Sequence, residues 1–155
     1  MVAARYSNSK TDSSLELVET LIRAGAKLDL QNNDGWTALM MAACHSKTSS
    51  SLETVERLIG AGANLDLQEK DGQTALILAI SKYKTDSSLE TVETLIVNGA
   101  NLDIQDKDGY TALLWAACDD DNVSSLETVE LLIRAGAKID LQDRVGQTAL
   151  MLVSR

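Results

Sequence analysis

Proline and phenylalanine are both absent from this chain of 155 residues, and aromatic residues make up only 3% of it. Without proline, no helix interior is interrupted and no turn is held rigid by a pyrrolidine ring. Two tryptophans and three tyrosines are too few to fill a core. We therefore expect a core of Leu, Ile, Val, Ala and Met, which the hydrophobic content of 45% can supply for one domain.

Histidine and cysteine are also scarce, and this restricts the chemistry open to the chain. His45 is the only histidine, which excludes a metal site with two imidazole ligands in one chain. Cys44 and Cys118 are the only cysteines and do not form a disulfide framework. Cys44 adjoins His45, but adjacent helical residues point in different directions, and no glycine-rich phosphate loop is present. We expect no enzyme activity, no metal and no cofactor.

Positive charge is in deficit, with 14 Lys and Arg against 23 Asp and Glu and a net charge of −9. A surface of this sign repels phosphate backbones and anionic lipids, so we expect neither nucleic-acid nor membrane binding. It suits a basic protein partner. No segment is long and apolar enough to span a bilayer, and residues 1–10 lack a signal-peptide core, so the expected location is the cytosol.

Three sequence markers recur along the chain, each advancing by 37 residues. They are a turn glycine, a Thr-Ala-Leu triplet and a Ser-Ser-Leu-Glu segment. Their members are Gly25, Gly62, Gly99 and Gly136, then Thr37, Thr74, Thr111 and Thr148, then Leu15, Leu52, Leu89 and Leu126. The repeat predicts one domain over residues 1–155, with a partial repeat at 1–34, repeats at 35–71, 72–108 and 109–145, and a partial repeat at 146–155.

Each unit reads as helix, loop, helix and extended turn. Thr37 is a predicted N-cap for a short helix over Ala38–Cys44, and a polar loop follows. Ser50 and Glu53 form a predicted capping box that starts a second helix, which Gly62 ends in a left-handed conformation. The same box recurs at Ser13/Glu16, Ser87/Glu90 and Ser124/Glu127. Because no unit can bury its own apolar stripe, neighbouring units must stack.

These segments resemble the ankyrin repeat family. Thr-Ala-Leu-Met at residues 37–40 is similar to the Thr-Pro-Leu-His signature, and residues 52–66 resemble the second ankyrin helix and its exit. The unit exceeds the usual 33 residues by four, and the excess lies between the helices, at residues 45–49, 82–86 and 119–123. The resemblance implies an all-α solenoid of helix-loop-helix units with short β-hairpin turns, which binds protein partners through a concave groove and the hairpin tips.

The resemblance also selects candidate partner-binding residues at the base of each hairpin, one helical turn farther on, and at the turn itself. They are Asn33, Trp36, Met40, Lys70, Asp71, Gln73, Ile77, Lys107, Tyr110, Leu114, Arg144, Gln147 and Met151. Exposed Trp and Tyr beside apolar residues are favoured in binding hot spots. An alternative for Met40, Ile77, Leu114 and Met151 is a place in the core between repeats, and Trp115 is also expected in the core.

Several alternatives stay open at this point. The acidic run at residues 119–122 could hold Ca²⁺, but it lacks the ligand spacing of a calcium loop and reads better as a solvated loop. An engineered or consensus-like scaffold with no natural partner competes with the interaction module, because the units are highly similar. Neither end carries a polar capping repeat. The chain could therefore be a fragment of a longer array. The alternative is that Leu150, Leu152 and Val153 dock on the first repeat of another copy, giving head-to-tail self-association.

Overall fold

A computed structural model describes residues 11–45, 49–81, 89–118 and 123–154 of the chain. Every regular element in these ranges is an α-helix. The helices are α1 (Thr11–Arg23), α2 (Ala38–Cys44), α3 (Ser49–Gly60), α4 (Ala75–Ser81), α5 (Leu89–Val97), α6 (Ala112–Ala117), α7 (Val123–Arg134) and α8 (Ala149–Leu152). The all-α prediction is confirmed. The lengthened interhelix segments and the acidic run at 119–122 lie largely outside the described residues.

The helices form two parallel rows. The short helices α2, α4, α6 and α8 pack one against the next and form the inner row, and α1, α3, α5 and α7 form the outer row. Within each repeat the inner helix packs on the outer helix that follows it, as α2 does on α3. This arrangement is a helix-loop-helix solenoid in which each unit contacts its neighbours, as the repeat predicted.

Each inner helix begins at the threonine of the Thr-Ala-Leu triplet. The hydroxyl of Thr37 accepts a hydrogen bond from the N–H of Met40 at 3.2 Å, and Thr111 accepts one from Leu114 at 3.2 Å. Thr37 has extended backbone angles while its side chain satisfies an N–H that has no partner inside the helix. The predicted cap and the predicted bounds of α2 are confirmed.

The outer helices bury one stripe and end at a glycine. In α3, Val55 is fully buried and Leu58 is 3% exposed. After α3, Gly62 takes a φ of 91°, its N–H donates to the carbonyl of Ile59 at 2.9 Å, and the N–H of Ala63 donates to Leu58 at 3.1 Å. These two bonds are those of a Schellman motif, which satisfies the last carbonyls of the helix. The prediction for Gly62 is confirmed.

The capping-box prediction is wrong about where three outer helices begin, because the predicted N-cap serines lie inside the helices. Helix α3 begins at Ser49 and α7 at Val123, one residue before the predicted N-cap serines Ser50 and Ser124. Helix α1 begins at Thr11, two residues before Ser13. Serine is tolerated in a first turn, whose N–H groups have no helical partner, so each of these helices includes its serine instead of beginning after it. Ser87 lies outside the described residues.

The core lies between the two rows and continues through the stack. Leu39, Leu76 and Leu113 hold the same place in successive inner helices and are 1 to 2% exposed. Half-buried residues such as Ile59 and Trp115 pack against this cluster. Cys44 and Cys118 are both free, which confirms that they are not bridged. The core is aliphatic, as the composition required.

Candidate functional site

The loop that leads into each inner helix is closed by one side-chain acceptor. We call these segments, residues 31–36, 68–73, 105–110 and 142–147, the hairpin loops. In the third loop the Asp106 carboxylate accepts hydrogen bonds from the N–H groups of Asp108 at 2.9 Å and Tyr110 at 2.8 Å. The N–H of Asp106 donates to the carbonyl of Tyr110 at 3.0 Å, as across a hairpin. Asn32, Glu69 and Asp143 close the other loops in the same way.

A row of glutamine side chains joins each hairpin loop to the next. The Gln68 amide donates to the carbonyl of Gly72 at 2.6 Å within its own loop and to the carbonyl of Gln105 in the next loop at 3.1 Å. Gln31 and Gln105 make the same pair of bonds one repeat earlier and one repeat later. Because each amide bridges two repeats, the loops are held in a fixed register of 37 residues.

The loops also approach one another closely at a glycine. A Cβ on Gly72 would lie 2.9 Å from the backbone nitrogen of Lys107 in the next loop. The N–H of Lys107 donates to the carbonyl of Asp71 at 2.9 Å across the same junction. Gly72 has a φ of 82°, which also favours glycine. Glycine is therefore required here both for the turn and for contact between repeats.

The tips of the hairpin loops are exposed and carry charges of both signs. The exposed tip residues from the predicted set are Asn33, Lys70, Asp71, Lys107 and Arg144. Lys70 forms an ion pair with Asp34 at 3.5 Å, and these side chains are 65% and 71% exposed. Exposed ion pairs of this kind contribute little to stability, so both groups stay available to a partner. The tips form a polar edge along the row of loops.

The predicted residues at the base of the hairpins differ in burial. Trp36, Tyr110 and Gln147 are half-buried, whereas Gln73 is only 8% exposed. Trp36 and Tyr110 are two repeats apart in the sequence, and each lies just before the N-terminal end of an inner helix, α2 and α6 respectively. These two aromatic side chains are the largest apolar groups that the base of the loops presents.

Three predicted partner-binding residues lie in the core instead. Met40, Ile77 and Leu114 are each 1% exposed, because each inner helix packs against the next. They match the alternative of a core between repeats. Met151 is the fourth member of this series and is 53% exposed, because no described helix packs beyond α8. The candidate surface consequently reduces to the hairpin tips, Trp36, Tyr110, Gln147 and Met151.

Tyr110 and Trp115 form an aromatic pair that is hydrogen-bonded to the buried carboxylate of Asp106. The rings of Tyr110 and Trp115 lie 5.1 Å apart, centre to centre, and are tilted by 47°. The indole N–H of Trp115 donates to Asp106 at 2.8 Å, and Asp106 is 7% exposed. Trp115 packs on the core, as expected, but it remains half-buried and is held in one orientation by this bond. A rigid aromatic pair of this kind can contact a partner with little loss of side-chain freedom.

The sequence contained a signal for this pair. Tyr110 immediately precedes the N-cap Thr111, and Trp115 is the fourth helical residue, which is the spacing of a hydrophobic staple. Trp36 and Met41 have the same spacing in the first complete repeat, and Met41 is 45% exposed. The staple spacing therefore identifies the Tyr110–Trp115 contact, and Trp36 and Met41 share that spacing.

The described residues also bound the chemistry of this surface. No group of three or more His, Cys, Asp or Glu side chains in these ranges is arranged to hold a metal ion. None of the helices in the described part of the chain has both the length and the apolar character needed to cross a membrane. What this part of the chain presents is a polar edge with aromatic residues at its base.

Comparison with known proteins agrees with the geometry. The chain matches the family model described as ankyrin repeats (3 copies), over residues 1–86 and 83–155. No curated protein matches the chain. Ankyrin repeats generally serve as non-enzymatic modules for protein–protein interaction. The chain belongs to the ankyrin repeat family.

Proposed function

We propose that this chain binds a protein partner through the surface formed by the hairpin tips and the half-buried aromatic residues at their base. The observation that carries this proposal is the fixed register of the hairpin loops, in which Gln68 bonds both its own loop and the next. A surface held in this way loses little conformational freedom on binding, so more of the contact energy contributes to affinity.

The chemistry of the surface favours a protein over other ligands. Trp and Tyr are the residue types most often found at binding hot spots, and Trp36 and Tyr110 present both. The exposed tips alternate between acidic and basic side chains, as Lys70 and Asp71 do. Such alternation suits a folded partner with charges of both signs, whereas a phosphate backbone would require a continuous basic patch. The absence of a catalytic role and the cytosolic location are still predictions.

Single substitutions at the aromatic residues test this proposal. We expect Trp36→Ala and Tyr110→Ala each to weaken binding to a protein selected by the unmodified chain on a protein array. The expected loss is about tenfold or more, because truncating a hot-spot aromatic costs about 2 kcal/mol or more. Both variants should remain folded, because each side chain is half-buried at the edge of the core.

The matched control is Leu126→Ala. Leu126 is 61% exposed and lies on the outer helix α7, away from the hairpin loops. Its removal should leave binding unchanged. If the Trp36 and Tyr110 variants bind the same partner as tightly as the unmodified chain does, the proposal is contradicted. So would a loss of binding that merely follows a loss of folded protein, measured by circular dichroism on the same samples.

A second candidate function is a scaffold in which copies of the 155-residue chain stack head to tail. Leu150 and Met151 of α8 are 74% and 53% exposed, although the matching Leu113 and Leu114 of α6 are 2% and 1% exposed. At the other end of the stack, Leu17 and Leu21 of the outer helix α1 are 65% and 60% exposed. The residue that matches Leu21 in α5, Leu95, is fully buried. Each row end therefore exposes the kind of surface that is buried inside the stack.

The hydrogen bonds of the hairpin loops favour the same arrangement. The Gln142 amide donates to Gly146 at 2.9 Å, but among the described residues it has no carbonyl of a following loop to bond. The carbonyl of Gln31 occupies the position that accepts such a bond at Gln68 and Gln105. A second copy placed one repeat farther on would join these two groups, and the contact would be heterologous.

Sedimentation velocity over a range of concentrations tests this candidate. We expect the 155-residue chain to show species larger than a monomer at high concentration, and Leu150→Glu with Met151→Glu to abolish them. A strict monomer at every concentration would contradict head-to-tail stacking. So would assembly that the two glutamates leave unchanged. Neither result affects the proposal for the hairpin surface.

A further inference from the structure

A cleft of about 390 Å³ lies on the outer row, between the C-terminal halves of α3 and α5. The cleft is lined by residues of the outer helices and of the segment after α5, and none of the hairpin-loop residues lines it. Its walls are formed by Glu56, Ile59 and Gly60 of α3 and by Glu93, Thr94 and Val97 of α5. The cleft therefore combines two carboxylates with apolar side chains.

The cleft lies where two repeats lack an arginine that the flanking repeats possess. In α1 the guanidinium of Arg23 binds Glu19 at 2.8 Å, and in α7 that of Arg134 binds Glu130 at 2.8 Å. Each pair is four residues apart on one helix. The matching arginine positions of α3 and α5 hold Gly60 and Val97, whereas the glutamates are retained as Glu56 and Glu93.

The retained glutamates have no cationic partner within the described part of the chain. Arg57, the cation next to Glu56 on α3, instead binds Glu19 of the preceding outer helix at 3.0 Å. Gly60 and Val97 are the last residues of their helices, where the helix dipole adds partial negative charge. The cleft is therefore a site of uncompensated negative charge in a chain whose net charge is already −9.

The remaining walls suit the aliphatic part of a long cationic side chain. Ile59 is half-buried, and Val97 is 81% exposed although its side chain is purely apolar. A methylene chain that packed against both would remove apolar surface from water while its charged end reached the carboxylates. A planar guanidinium can bind a carboxylate through two parallel hydrogen bonds, which an ammonium group cannot do.

We propose that this cleft binds an arginine side chain from a basic segment of a protein partner. The partner's guanidinium takes the place that Arg23 and Arg134 occupy beside their own glutamates, and its methylene groups pack on Ile59 and Val97. The cleft is lined by residues of α3 and α5 and by none of the hairpin loops, so a partner that binds here contacts a different surface from one bound at the loops.

A titration followed by NMR tests the proposal. The probe is a short acetylated and amidated peptide with one arginine between two leucines, added to the uniformly ¹⁵N-labelled 155-residue chain. We expect chemical-shift changes at the amides of residues 56–60 and 93–98, and these changes should reach a plateau as the peptide concentration rises. The same peptide with citrulline in place of arginine keeps the shape but loses the charge, and it should bind about two- to fivefold more weakly, because the glutamates are exposed and an exposed ion pair contributes little.

Restoring the missing arginines provides the second arm. A Cβ on Gly60 would meet nothing within 4 Å, so the double variant Gly60→Arg, Val97→Arg can rebuild both internal pairs without disturbing the helices. It should remain folded by circular dichroism and lose the peptide-dependent shifts. Glu130→Gln is the matched control, because Glu130 already has Arg134, and it should bind like the unmodified chain.

Four results would overturn the proposal, the last of them by removing its assignment to arginine. The first is equal binding of the arginine and citrulline peptides, and the second is unchanged binding to the folded double variant. The third is a set of shifts confined to the hairpin loops. Equal binding by a lysine peptide would overturn the assignment to arginine, since the forked contact would then have no role. None of these results bears on Trp36 or Tyr110, so the two proposals fail separately.

Discussion

Replacing Gly109 by alanine should destabilise the fold more than the same replacement at Gly146, which has nearly the same backbone angle. Gly109 has a φ of 83°, and a Cβ placed there would lie 2.8 Å from the backbone nitrogen of Arg144 and 3.0 Å from Asp143. Real Cβ atoms do not approach backbone so closely, so the fourth hairpin loop must move. Gly146 has a φ of 82° but nothing within 4 Å of the same Cβ position.

The two substitutions therefore separate strain within one residue from contact between repeats. Alanine in the left-handed region costs about 1 to 2 kcal/mol, and this cost applies to both positions. At Gly109 the overpacking adds about 1 to 3 kcal/mol. Movement of the fourth loop would also weaken the bond from the N–H of Arg144 to the carbonyl of Asp108, which is now 3.0 Å long.

Urea unfolding of the three variants measures the difference. We expect the free energy of unfolding to fall by about 1 to 2 kcal/mol for Gly146→Ala and by about 2 to 5 kcal/mol for Gly109→Ala. Gly62→Ala is a control from the middle of the stack, since Gly62 has a φ of 91° and open space around its Cβ. It should behave like Gly146→Ala.

Equal losses at Gly109, Gly146 and Gly62 would refute this reasoning. That result would mean that the hairpin loops are not in van der Waals contact across repeats. The fixed register on which the proposed binding surface depends would then lose its support. A larger loss at Gly146 than at Gly109 would contradict it in the same way.

Three further predictions concern packing and polar contacts, each checked by urea unfolding. Leu114→Ala should cost about 2 to 5 kcal/mol and Met151→Ala less than about 1 kcal/mol, because these matched positions are 1% and 53% exposed; equal costs would be the contrary result. Trp115→Phe should cost about 1 to 3 kcal/mol, because it leaves the buried Asp106 without the indole donor, and a neutral effect would show that this bond is dispensable. Arg57→Ala should cost less than about 1 kcal/mol, since Arg57 is 59% exposed and Glu19 keeps its bond to Arg23. A loss above about 2 kcal/mol would contradict this.

Local chemistry explains which parts of the fold could be predicted from the sequence. The repeat, the threonine caps and the glycine that ends each outer helix depend on neighbouring residues, and Thr37 and Gly62 behave as predicted. The aliphatic core followed from the lack of aromatic residues. These features need no knowledge of how one repeat meets the next.

The features that could not be predicted depend on contacts between repeats. Met40 and Met151 occupy the same position in the unit, yet one is in the core and the other is half-exposed, because only one of them has a helix packed beyond it. The outer helices begin before Ser50 and Ser124, because serine is tolerated in the first turn of a helix as well as at its N-cap. The cleft beside Gly60 became visible only once the outer helices were placed side by side.

Photo-crosslinking from chosen positions tests the central claim, that a protein partner binds at the hairpin loops, most directly. A benzophenone side chain placed at Tyr110 or at the tip residue Lys70 should form a crosslink to one discrete protein partner. The same group at Glu127, an exposed residue of α7, should form none to that partner. Crosslinking that is as strong from Glu127 as from Tyr110 and Lys70, or absent from both loop positions while the partner is bound, would contradict the account.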